Sequence, residues 1–194
     1  MRIPFITPTL ALALAGTSAF AQSTDSDTAD VAIEGNVTPL CVLGEPSQAS
    51  VSLGNMIATS GSRVGRIRAI GNQNVTLPAS FCNFAGSVAT IAATALVETA
   101  GGTTAPPPGF SRAVNFTAQV GQWGGGSASA SSAATASGTN ATNEGTSAVQ
   151  PLPRQTDLSV ELSGFSVPGD ALLVSGDYSG LVRVTLGPAA VSPN

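Results

Sequence analysis

The chain has 194 residues, 42% of them hydrophobic and only 9% charged, with no histidine. All seven basic residues are arginine, which excludes a histidine general base, a histidine metal ligand and a catalytic or Schiff-base lysine. A formal net charge of -4 argues against nucleic acid as a partner, and the apolar fraction is enough for one domain with a buried core.

In chain order, the first segment reads as an address. Met1-Arg2 is a short positive start, Ile3 to Gly16 is mostly apolar, and Ser18-Ala19-Phe20-Ala21 ends in small residues. This predicts a signal peptide over residues 1–21, too short to span a membrane. No later segment reads as a transmembrane helix. Export places Cys41 and Cys82, the two cysteines, in an oxidising compartment, where a disulfide is the expectation. Residues 22–30 (QSTDSDTAD) are polar and acidic and read as a disordered N-terminal segment. Asp25, Asp27 and Asp30 lack the glycine and distal glutamate of a calcium loop.

From Val31 the pattern alternates. Val31, Ile33, Gly35 and Val37 fall on one face, which predicts a strand that Thr38-Pro39 ends. Ser50–Gly54 and Arg66–Ile70 are two further short strand candidates. Asn74–Phe81 alternates around Pro78, which points to an edge or a bulge. Ser87–Glu98 mixes alanine with Val, Ile and Thr; its neighbours make strand the better reading. Thr99–Gly109 is a loop, and Ala113–Val120 alternates again. Residues 124–147 are almost wholly Gly, Ser, Ala, Thr and Asn and predict a flexible low-complexity insertion. Leu158, Val160 and Leu162 form another alternating face. After Pro168-Gly169 come the short apolar run Ala171–Val174 and the final strand Tyr178–Leu186. Short strands at short intervals without a clear helix give an all-β sandwich or barrel.

The side chains offer little chemistry. No serine has a histidine or lysine to activate it, the carboxylates outside the tail are isolated along the chain, and no lysine-bearing phosphate loop exists. The expectation is a protein that is not an enzyme and needs no cofactor or metal. Arg63, Arg66 and Arg68 form the one basic cluster and suggest either an anion site or a solvated face. Trp123, beside Gly124-Gly125-Gly126, suggests a platform for a sugar. The sequons at Asn36, Asn74, Asn115 and Asn140 matter only in a glycosylating host.

Several of these pieces occur in a telling order. A strand (DVAIEGNV) runs into Cys41, then comes Val51-Ser52-Leu53-Gly54, and then a strand (NVTLPASFC) ends at Cys82. The last strand, GDYSGLVRVTL, alternates after an aromatic. This resembles the subunits of chaperone–usher fimbriae, and more closely the spore coat protein U-like pilin group, over roughly Val31 to Leu186. The resemblance implies an immunoglobulin-like, pilin-type β-sandwich over residues 31–187, with residues 188–194 as a C-terminal tail. It implies that one strand of the sandwich is missing and is supplied from outside by β-augmentation. The groove would run beside the final strand, lined by Tyr178, Val182, Val184 and Leu186. The implied partners are a periplasmic chaperone, an usher and like subunits, and the implied location is the periplasm and then the cell surface or fimbrium. Residues 22–30 lack the alternating apolar positions of a pilin donor strand. A self-contained secreted sandwich, adhesin-like and binding a glycan or surface polymer, is the alternative.

Overall fold

A computed structural model describes residues 27–101 and 105–190. The expected signal peptide and the start of the acidic segment, like residues 191–194, lie outside the described residues. Asp27–Asn36 is exposed and without regular structure, and the compact body begins at Val37.

Twelve strands form among the described residues: β1 (Cys41–Val42), β2 (Gln73–Cys82), β3 (Ser87–Glu98), β4 (Phe110–Ser111), β5 (Ala113–Trp123), β6 (Gly126–Ser131), β7 (Ala133–Ala134), β8 (Asn140–Ala141), β9 (Asn143–Thr146), β10 (Arg154–Ser166), β11 (Leu172–Leu173) and β12 (Tyr178–Pro188). Their helical counterparts are two 3-10 turns, Gly61–Arg63 and Pro168–Asp170. The protein is all-β, as its alternation predicts.

The strands make an antiparallel sandwich. β1, β2, β10, β5 and β6 lie side by side in one layer, and β12, β3 and β9 in the other. β5 belongs to both. Its first residues, Ala113 and Val114, pair with Val97 and Leu96 of β3, and its remaining length pairs with β10 and β6. The core forms where the two inner faces meet. Leu77 of β2, Phe116, Ala118, Val120 and Trp123 of β5, and Leu158 and Val160 of β10 pack against Ala89, Ile91 and Ala93 of β3. The mixed segment Ser87–Glu98 therefore buries its odd-numbered face, and its many alanines let the layers approach closely.

Four expected segments are different in the structure. Val31–Val37 is exposed chain rather than a strand: Val31, Ile33 and Val37 are 83%, 93% and 81% exposed. Ser50–Gly54 and Arg66–Ile70 join no strand, although Ile57 and Ile67 make an isolated bridge. Alternation makes one face apolar, but a strand also needs a neighbour to complete its ladder. The fourth correction concerns residues 124–147. They are not a flexible loop. They form β6, β7, β8 and β9, which pair with β5, with each other and with β3. Pro78 marks a bulge: Ala79 beside it has φ 51°, and the β2–β10 register shifts between Thr156 and Leu158.

Candidate strand-acceptor cleft

β12 ends the strand order. One side of it pairs with β3 from Tyr178 to Pro188, and among the described residues no strand pairs with its other side. Beside that free edge lies a cleft of about 680 Å³. Its floor is the inner face of β2 and β10, with Val75, Leu77, Val160 and Leu162, and Phe116 and Phe165 lie deeper. Those two rings stack with centroids 5.8 Å apart. One rim is β12, through Tyr178, Val182 and Val184; the other is the irregular segment carrying Leu43, Val51 and Leu53.

The sequence shapes both rims. On β12, Val182, Val184 and Leu186 are half-buried and pack on the core, while Leu181, Arg183 and Thr185 point out. The opposite rim is fixed along β2. Ser47 N–H donates to the Thr76 carbonyl (2.7 Å), and Thr76 N–H donates back to the Ser47 hydroxyl (3.0 Å). Gly44 lies so near Pro78 that a β-carbon there would be 1.7 Å from the Pro78 oxygen. Further on, the Arg68 guanidinium donates to the carbonyls of Leu53 (2.9 Å) and Asn55. Cys41 and Cys82 form the expected disulfide, with Cα atoms 4.1 Å apart, and tie β1 to the end of β2 where this rim starts.

Of the residues anticipated for a groove, Tyr178, Val182 and Val184 line the cleft, and Leu186 packs against the core. Leu43, Val51 and Leu53 were not anticipated. The V-x-L-G segment carried the signal, since its two apolar residues share one face. Tyr178 closes one end: its hydroxyl donates to the Val174 carbonyl (2.7 Å). Burial, reinforced by the nearby Glu98 carboxylate, pushes its pKa up to about 12.

The other candidates resolve otherwise. Trp123 is fully buried in the core and presents no face to a sugar. Arg63 and Arg66 bind the Asp170 carboxylate at 2.7 and 3.2 Å, so the basic cluster is internally neutralised in part. The Arg63 guanidinium holds the Asp170 carboxyl below its ordinary range. Arg68 is the rim clamp described above. Among the described residues, no group of three or more His, Cys, Asp or Glu is placed to hold a metal ion, and no helix is long and apolar enough to cross a membrane.

No protein-family model, curated protein or solved structure matches this chain.

Proposed function

We propose that this protein is an exported structural subunit of a fimbria-like or coat-like cell-surface assembly, joined by β-strand addition into the cleft beside β12. One observation carries the reading: an apolar cleft runs along the unpaired edge of a core strand. Such an edge offers a row of backbone donors and acceptors, and the cleft offers sites for alternate side chains. The same chain carries an unpaired segment of matching chemistry. Val31, Ile33 and Val37 alternate and are exposed, and burying each contributes roughly 1.5–3 kcal/mol. A neighbouring copy's Val31–Val37 is therefore the donor, in place of the acidic residues before it. The immunoglobulin-like, pilin-type form of the sandwich, transit through the periplasm, and guidance by a chaperone and usher belong to the same reading. They rest on the resemblance set out from the sequence.

The test is assembly of the chain from Gln22 onward. SDS-resistant ladders that vanish on deletion of residues 22–37 support the reading. A stable monomer at all concentrations, unchanged by that deletion, refutes it.

A self-contained binding module is the second reading. It is favoured by a hollow of about 170 Å³ on the outer face of β9, β3 and β12, lined by Thr90, Thr94, Thr142, Glu144, Arg183 and Thr185. Saturable binding of a glycan by the monomer would favour that reading.

A further inference from the structure

Resting on that reading, we propose that Glu34 of one copy pairs with Arg183 of the next and that this ion pair fixes the register of the inserted strand. Val31–Val37 holds one charged residue, Glu34, and β12 holds one, Arg183. The two have opposite sign and matching parity. When Val31, Ile33 and Val37 enter a cleft, Glu34 emerges on the opposite face of its strand. On β12, Val182 and Val184 are half-buried in the cleft; Leu181 and Arg183 also border it, but they are exposed and, with Thr185, line the hollow on the outer face. Residues directly opposite across two strands share a face, so Glu34 and Arg183 meet on the outside whenever the apolar residues are inside.

The apolar pattern alone leaves the register open. A slip by one residue turns valines to solvent, but a slip by two puts similar side chains in similar places. The charges remove this degeneracy. Glu34 is the centre of Val31–Val37, and Arg183 is the centre of Gly180–Leu186. Setting them opposite each other lays seven residues on seven, whichever way the added strand runs. In either direction a terminal valine meets Gly180, which also lines the cleft, and Gly35 meets Val182 or Val184. Large residues thus face small ones at both glycines. A two-residue slip sets Glu34 against Leu181 or Thr185 and leaves two residues overhanging.

Arg183 is available for the pairing. It is exposed and, among the described residues, takes no part in an ion pair. The carboxylate nearest in register on that face is Glu144, across Ala92, which pairs with both Glu144 and Arg183. Two strand spacings separate those positions, about 9–10 Å. An added strand would bring Glu34 to one spacing, with β-carbons roughly 5 Å apart.

The test uses the chain from Gln22 onward with Glu34→Arg, Arg183→Glu and both together, reading the rate and yield of SDS-resistant oligomers. Each reversal alone should slow assembly about three- to tenfold, and the double reversal should restore it to within about twofold. The single-variant defects should shrink in 1 M salt. Singles without effect, or a double as slow as the singles combined, overturn the pairing. Glu144→Gln should change nothing; if it reproduces the Arg183→Glu defect, Arg183 works through Glu144 and the proposal falls. Deletion of Val31–Val37 separates the two levels. If it abolishes assembly while the charge variants are silent, strand addition stands and the register pair does not. If it is silent too, the underlying reading fails and the pairing with it.

Discussion

A β-carbon on Gly145 would lie 2.0 Å from the backbone oxygen of Ser129. β9 thus lies against β6 with nothing between the two backbones. β3 and β5 pair only at Leu96–Val114 and Val97–Ala113, and beyond that point β6 continues along β5 while β9 continues along β3. The segment from Gly126 to Thr146 fills the seam between the two layers, and the side chains it buries there, Ala128, Ala130 and Ser132, are small. Ala128 and Ala130 point into the core, fully or nearly buried.

Gly145→Val should therefore lower stability by about 1–3 kcal/mol through overpacking, read as a shift in the denaturation midpoint. Gly71→Ala is the control. A β-carbon at Gly71 meets nothing within 4 Å, so it should leave the midpoint unchanged. Equal midpoints for the two variants would mean that β9 does not press on β6.

Trp123 is the single tryptophan, it is fully buried, and its Nε1 has no hydrogen-bond partner. Its fluorescence should be blue-shifted and closed to iodide, and unfolding should open it. Trp123→Ala should cost about 3–5 kcal/mol, whereas Trp123→Phe keeps an aromatic ring and removes the unpaired N–H, so it should cost distinctly less. Ready iodide quenching in the native state would contradict the burial.

Tyr178 is the single tyrosine, so tyrosinate absorbance reports on the end of the cleft alone. Its pKa rises from 10.0 to about 12, first through burial and then through Glu98. A raised folded value means that the neutral phenol stabilises the fold. That contribution is complete below pH 10 and is lost as pH climbs towards 12. An alkaline titration should show the tyrosinate forming well above the ordinary phenol range, with thermal stability falling over the same window. Tyr178→Phe should flatten that part of the fall. A midpoint near 10 in the folded protein would refute the burial of the hydroxyl.

The Cys41–Cys82 bridge spans a sequence separation of 41. In the chain-entropy picture such a loop contributes ~4 kcal/mol by restricting the unfolded chain. Cys41→Ser with Cys82→Ser, or reduction, should lower unfolding stability by about that amount in chemical denaturation. β1 should respond first, because its two residues are held by β2 alone. A reduced chain of unchanged stability would mean that the bridge constrains nothing the rest of the fold does not already hold.

Composition and alternation by themselves determined that this chain is all-β, that β5, β10 and β12 are strands, and that Pro78 breaks a ladder; β3 was legible as a strand only through its neighbours in the chain. The cysteine count, read with the expected signal peptide, anticipated the bridge. These are properties of one segment at a time: side-chain parity and turn chemistry act over a few residues. What needed the tertiary structure is everything that depends on a neighbour. Val31–Val37 and Ser50–Gly54 alternate as well as β10 does, yet neither has a strand beside it. Residues 124–147 have little to bury by composition, yet they are ordered because β3 and β5 diverge and leave a seam whose buried positions Ala128, Ala130, Ser132 and Ser147 fill. Trp123 breaks the even-numbered inward parity of β5: a bulge between Val120 and Trp123, where Gln122 has φ 76°, turns it into the core. The cleft itself is written in no single segment. It exists because β12 ends the sheet order with one edge unpaired, and an unmet backbone edge is a fact about which strands are adjacent.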